Sequence, residues 1–312
     1  MTKYAFLFPG QGSQFVGMGK DLYDAFPAAK QVYDRAEAIL GLPIKKVSFE
    51  GPEDELVKTY LTQPALLTHS LACFEILKNH GIEPALTAGH SVGEYPALYA
   101  AGALQFEDVL ALIKKRGELT NNIRNGTMAA IIGLDDETVK QICREVTGIV
   151  VPANFNSPDQ TVISGEVEAV QKATELAKAR GAKRAIVLAV SGAFHSPLLD
   201  DVVSEFKKTL AGVTIHEPKV GIVVNVTGEL VTDAAGIRES LGVQLRSSVQ
   251  WTKTIRTIRG LGFTEAIEVG PGRVLTGLAK RIERDFQTTP VGTAGELATF
   301  IKNHETRNSA QP

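Results

Sequence analysis

The sequence is short of the features that mark several protein classes. Only Cys73 and Cys143 are cysteines among its 312 residues. Two cysteines make neither a disulfide framework nor a zinc cage on their own, and they fit a reducing compartment. Charge of one sign is missing too: 33 Lys and Arg stand against 35 Asp and Glu, for a net charge of −2. That balance removes any bulk electrostatic case for nucleic acid or an anionic membrane surface. No apolar run approaches the ~18 residues that a membrane span requires. The first one, Tyr4 to Phe8, is stopped by Pro9-Gly10, too early for a secretory peptide. No internal repeat or low-complexity block occurs. What is present is 44% apolar and 22% charged residues, the balance of a chain that buries a large core. The expectation is a soluble cytoplasmic protein of roughly two domains, at about 150 residues each.

The pattern along the chain predicts an α/β protein with a smaller unit inserted in a larger one. Tyr4 to Phe8 is apolar on both faces, as in a strand covered on both sides. Helical spacing follows near 20–40 and 64–80, then a short strand over Pro84 to Ala88. An Ala- and Leu-rich helix is expected over Glu94 to Ala103 and an amphipathic one over 106–121. From residue 126 the rhythm shortens. Strands over Met128 to Gly133, Gly148 to Asn154, Gln160 to Ser164 and Ala185 to Val190 alternate with helices over Asp135 to Glu145 and Glu166 to Arg180. The order β-α-β-β-α-β is that of ferredoxin-like units. Longer elements return after residue 193. The expected division is a large domain of 1–125 and 194–302, a small domain of 126–193, and a polar, disordered tail of 303–312.

The sharpest chemical signal is Gly89-His90-Ser91-Val92-Gly93, a G-x-S-x-G between an expected strand and an expected helix. Such an elbow exposes its serine on a strained turn, and the glycines avoid collisions with neighbouring backbone. The Val92 N–H and the helix start then face the space where an oxyanion would form. A turn with an incidental serine is the plainer reading, and the strand–turn–helix context weighs against it. Of six histidines, His195 is favoured as the base, because it lies in a small-residue loop between a strand and a helix. His69 falls on a helix, where packing or capping is the commoner role. No acid for a triad is evident, which a dyad with a backbone carbonyl on the imidazole does not need. Gly10-Gln11-Gly12-Ser13-Gln14 fails as a dinucleotide fingerprint, since Phe15 replaces its third glycine. Its Gln11 N–H could supply a second oxyanion donor. Arg116, after Lys114-Lys115, reads first as part of a solvated helix face; facing a pocket, it would bind a carboxylate through two parallel hydrogen bonds.

Together these segments resemble the malonyl-CoA:acyl-carrier-protein transacylase family. The resemblance rests on Phe8 to Gln14, Thr62-Gln63-Pro64-Ala65, Gly89 to Tyr95, Gly192 to Ser196, Val249-Gln250-Trp251 and Glu268 to Gly272, in order. It implies an α/β-hydrolase-like large domain with an inserted ferredoxin-like small domain. It implies Ser91 as nucleophile, His195 as base, and Gln11 and Val92 as oxyanion donors. Arg116 would hold the free carboxylate of malonate, Phe194 would leave little room for an α-methyl group, and Gln250 would lend its carbonyl to the His195 ring. The implied reaction is ping-pong: malonyl-CoA acylates Ser91, and the phosphopantetheine thiol of a holo-acyl carrier protein takes the acyl group. No metal or tightly bound cofactor is required. One departure stands out. The family's Gly-x-x-Met-Gln after the arginine reads Gly117-Glu118-Leu119-Thr120-Asn121 here, which is expected to alter the acyl pocket. The same resemblance admits fatty-acid synthesis, the leading expectation, or a discrete acyltransferase of a polyketide synthase. A serine esterase shares the elbow but has no use for Arg116, and a scaffold would need neither Ser91 nor His195.

Overall fold

The computed structural model describes residues 3–309 apart from 122, 124, 125, 189 and 191. Its strands are β1 (Ala5–Phe8), β2 (Leu86–Gly89), β3 (Gly126–Ile132), β4 (Val150–Ser157), β5 (Gln160–Glu166), β6 (Arg184–Val187), β7 (Ile222–Val223), β8 (Leu230–Val231), β9 (Glu265–Glu268) and β10 (Gln287–Pro290). They form a six-stranded sheet in the order β10-β9-β1-β2-β7-β8 and a four-stranded sheet in the order β4-β5-β3-β6. The first is parallel except for β8, which is antiparallel to β7. The second is antiparallel throughout.

The unbroken apolar run of β1 has a direct cause. Phe6 and Phe8 enter the main core on one face of the large sheet, and Ala5 and Leu7 enter the core on the other. A central parallel strand covered by helices has no solvent face to make polar. The helix Thr59–Asn79 is buried on almost every side, so its side chains show little amphipathic contrast. It starts before Pro64, where the sequence suggested a beginning, and holds that proline inside. The 20–40 pattern divides into Lys20–Ala25 and Pro27–Leu40, because Pro27 favours a fresh helix start.

The small sheet alternates its loyalties with the two-residue period of a strand. Ala129, Ile131, Val150 and Ile163 pack into a separate core under the helices Asp136–Glu145 and Val167–Ala179. Met128, Ala130, Ala153 and Val162 point the other way and join the main core. Each face is therefore occupied. Backbone bonds Val249 N–H to Ala153 O (2.8 Å) and Phe155 N–H to Val249 O (2.9 Å) fasten β4 to the larger part.

Several elements carried too little signal to expect. The helices Ile44–Phe49, Glu53–Leu56 and Ala234–Gln244 and the strands β8 and β10 are among them. The expected disordered tail is a correction: residues 303–309 continue the helix Ala294–Ser309. Its start is fixed reciprocally, Glu296 accepting from Thr293 N–H while Thr293 Oγ1 accepts from Glu296 N–H. Leu297 and Ile301 bury one side, and Arg307 reaches Glu265 at 3.3 Å. Residues 310–312 of the expected tail lie outside the described residues, as does Ser191 of the histidine loop.

Candidate active site

β2 ends at Gly89, and the chain reverses through His90 and a short 3-10 turn, Ser91–Gly93, into the helix Glu94–Ala100. Ser91 sits at φ 51°, in the left-handed region that L side chains rarely adopt. The flanking glycines are a steric necessity. A Cβ on Gly89 would lie 1.9 Å from Gly93 O, and one on Gly93 would lie 2.1 Å from Phe8 O. Asn225 clamps the turn: its Oδ1 accepts from Ser91 N–H and its Nδ2 donates to Gly89 O, both at 2.6 Å.

Ser91 Oγ lies 2.7 Å from His195 Nε2. His195 is buried, and it too has a left-handed backbone, φ 58°. Its Nδ1 lies 3.0 Å from Gln244 O and 2.9 Å from Ser247 O. Carbonyls only accept, so Nδ1 carries the proton, and Nε2 is bare and accepts from the serine hydroxyl. Burial first, and the neighbouring Arg116 charge second, push the imidazole pKa down to about 3. The ring is neutral across the physiological range. This arrangement can take a proton from a hydroxyl with no acidic third member.

Gln250 does not hold this histidine. Its carbonyl accepts from Thr254 N–H at 2.8 Å in the first turn of the helix Trp251–Gly260, and its own N–H donates to Asn225 O at 2.9 Å. Gln244 and Ser247 supply the acceptors instead.

Arg116 is 2% exposed, so the solvated-face reading of its helix fails at this residue. One guanidinium nitrogen donates to Ser91 Oγ at 3.1 Å and reaches Gln244 Oε1 at 3.5 Å. The group lies 5.7 Å from the Tyr95 ring centroid, a cation–π distance. Arg116 Nε finds no acceptor among the described residues. Thr120 and Asn121 do not line the pocket. Thr120 is buried one turn beyond Arg116, donating to Arg116 O at 2.7 Å and lying 3.3 Å from Gln63 Nε2.

A cavity of about 260 Å³ opens over these groups, lined by Gln11, Val92, Arg116 and Phe194 together with Ser91 and His195. Met128 and Asn154 close it from the small sheet. His90 also lines it and ties the two parts together, its Nε2 lying 2.8 Å from Asn156 Oδ1. A larger cavity lies elsewhere, between β10 and the helix Ala294–Ser309, and holds no such constellation.

The family sequence model described as acyl transferase domain matches residues 5–311. The chain belongs to the acyl transferase domain family. This acyl transferase domain is similar to the malonyl CoA-acyl carrier protein transacylase of Bacillus subtilis (strain 168), 46% identical over 99% of both chains. The enzyme of that name from Escherichia coli (strain K12) is 44% identical over 97% of this chain and all of its own. Among solved structures, a malonyl-transacylase in complex with a type II PKS acyl-carrier protein superposes with a TM-score of 0.94. It is 42% identical, over 97% of this chain and 100% of its own. An acyl carrier protein S-malonyltransferase from Vibrio cholerae O1 biovar eltor gives 0.91, at 40% identity over 96% and 100%.

Sequence reasoning missed three residues of this acyl transferase site. Asn225 holds the elbow, and Gln244 and Ser247 hold the histidine. Asp233, which caps the helix Ala234–Gln244 through Gly236 N–H at 2.8 Å, was the one signal that could have led to Gln244.

Proposed function

We propose that this protein transfers the malonyl group of malonyl-CoA to the phosphopantetheine thiol of an acyl carrier protein. The observation that carries the reading is the 2.7 Å contact between a strained serine and a neutral, carbonyl-anchored histidine, with a buried arginine 3.1 Å from the same oxygen. Ser91 Oγ attacks the thioester carbon as its proton passes to His195 Nε2. The N–H groups of Gln11 and Val92 hold the oxyanion. The tetrahedral intermediate expels CoA thiolate, which takes the proton from His195. The carrier thiol then gives its proton to His195 and attacks the malonyl-serine, and Ser91 recovers the proton as it leaves. Arg116 holds the malonyl carboxylate throughout, and Phe194 narrows the acyl site.

The division that supports this chemistry is an α/β-hydrolase-like domain of 1–125 and 194–302 with a ferredoxin-like insert of 126–193. The separate core beneath the small sheet and its β-α-β-β-α-β order favour it. The compartment is the cytoplasm, in keeping with two buried, unbonded cysteines. Among the described residues no helix is long and apolar enough to cross a membrane. Fatty-acid synthesis is the favoured setting. The likeness to a malonyl-transacylase bound to a polyketide carrier keeps a discrete polyketide acyltransferase as the second reading.

Product analysis tests the reaction. Incubation with malonyl-CoA and holo-acyl carrier protein should yield malonyl-carrier protein in step with CoA release. CoA release matched by free malonate, with the carrier unmodified, would make the protein a thioesterase.

A further inference from the structure

Beneath the nucleophile lies a buried carboxyl that the transfer reaction does not use. Glu94, the first residue of the helix after the elbow, is fully buried. Both of its oxygens accept: Oε1 from Asn225 N–H at 3.3 Å, and Oε2 from the Gln244 side-chain amide. That amide is the bridge. Its Nε2 also donates to Ser91 O at 3.1 Å, and its Oε1 faces the Arg116 guanidinium at 3.5 Å. Arginine, amide and carboxyl thus stand in line, each hydrogen-bonding to the next in the sense that a cation and an anion favour. Burial lowers the Arg116 pKa, against the opposing pull of Tyr95 and then of the Glu94 charge, and among the described residues no acceptor reaches Arg116 Nε.

We propose that Glu94 competes, through the Gln244 amide, with the carboxylate of the incoming acyl group for Arg116, and is thereby a specificity-determining positioning residue. This rests on the reading of Arg116 as the malonyl-binding group. With Glu94 ionised, a bound malonyl carboxylate adds a second negative charge around one arginine in a water-poor site, which opposes binding. With Glu94 neutral, the arginine is free for the substrate. An acyl group without a carboxylate is indifferent to the state of Glu94.

Burial raises the Glu94 carboxyl pKa to about 7, against the pull of the Gln244 and Asn225 donors and of Arg116. Arg116, from the helix Phe106–Asn121, stays charged. His195 is held neutral down to about pH 3, and burial lowers the pKa of His90. Tyr95, on the same helix as Glu94, is pushed far above its usual range by burial. Glu75, from the helix Thr59–Asn79, faces Tyr99 at the far end of that helix. β1 and β2 contribute no titratable side chain.

The test is single-turnover acylation of Ser91 by malonyl-CoA and by acetyl-CoA, from about pH 6 to about pH 8.5, in wild type and Glu94→Gln. In the wild type, malonyl-CoA binding should weaken about five- to tenfold as pH rises through 7, with the maximal acylation rate kept. The acetyl-CoA constants should stay level. Glu94→Gln should bind malonyl-CoA as the wild type does at low pH, without the pH dependence. A wild-type profile that is level for malonyl-CoA overturns the proposal, and that result does not need the variant to fold. Equal losses for both substrates in Glu94→Gln overturn it as well, since they mark a merely structural role. Absence of any malonyl-Ser91 at every pH would instead refute the transfer reading.

Discussion

Two buried histidines of this chain share a hydrogen-bond pattern, and of the two only His195 lines the cavity over Ser91. His69 donates from Nε2 to Gly292 O at 2.9 Å and faces the Tyr33 hydroxyl at 3.3 Å. His195 donates from Nδ1 to Ser247 O at 2.9 Å and faces the Ser91 hydroxyl at 2.7 Å. Burial holds both rings neutral, with pKa values down to about 4 and about 3. The contrast lies outside the hydrogen-bond pattern. Tyr33 is a buried phenol whose pKa burial raises, and it packs against Tyr23 and Phe49. Ser91 stands on a left-handed turn, borders a cavity and has a guanidinium within hydrogen-bond reach. A histidine–hydroxyl pair by itself is a packing device. Backbone strain, access and a fixed charge are what set the Ser91 pair apart.

Substitution of each member sharpens that contrast most. Ser91→Ala or His195→Ala should lower the transfer rate by at least about a thousandfold, with the melting temperature close to wild type. His69→Ala should do the reverse. It leaves a buried void and an unpaired Tyr33, costing about 2 to 4 kcal/mol of stability in urea unfolding, while the rate per folded molecule is kept. A rate collapse in folded His69→Ala would erase the distinction.

Arg116 marks the second difference between the two regions. Arg116→Ala should cut acylation by malonyl-CoA about a hundredfold and leave acetyl-CoA nearly unchanged, read as the ratio of the two kcat/KM values. Equal losses would mean that the arginine serves Ser91 alone.

The smallest effect concerns what the regions share. Each ring binds its proton only below about pH 4 or about pH 3 in the fold, whereas the unfolded chain protonates near 6.5. The unfolded state therefore holds more protons in that window, and stability falls as pH drops from about 6.5. Glu94 opposes this between about 4.5 and 7, where the fold keeps a proton that the unfolded chain has lost. His69→Gln should show a shallower loss of stability between about pH 6.5 and about pH 5 in urea titrations. An unchanged slope would mean that His69 is not held neutral by burial.

The elbow was legible in the sequence because its demands are local. Gly89 and Gly93 are required within five residues of one another, and Ser91 lies between them. The β-α-β-β-α-β order was legible from short apolar runs with turn residues at their ends. His195 was a choice among six, made from its loop. The partner of its ring was not legible. A backbone carbonyl belongs to every residue and leaves no side-chain signature, so family resemblance led to Gln250, already engaged by Thr254. The helix that delivers Gln244 carries two glycines and a weak apolar stripe, and its end is placed by tertiary packing. Arg116 looked like one more surface cation beside Lys114 and Lys115. Only the helix Phe106–Asn121, with Ile113, Arg116 and Thr120 turned inward, shows that it faces the core.

The proposed transfer depends above all on Ser91 carrying the acyl group with His195 as its base. Intact mass spectrometry after brief exposure to malonyl-CoA, followed by peptide mapping, tests it most directly. One malonyl adduct on Ser91 is expected, absent from Ser91→Ala, formed far more slowly in His195→Ala, and discharged by holo-acyl carrier protein. An adduct on another residue, or its full formation in Ser91→Ala, would contradict it.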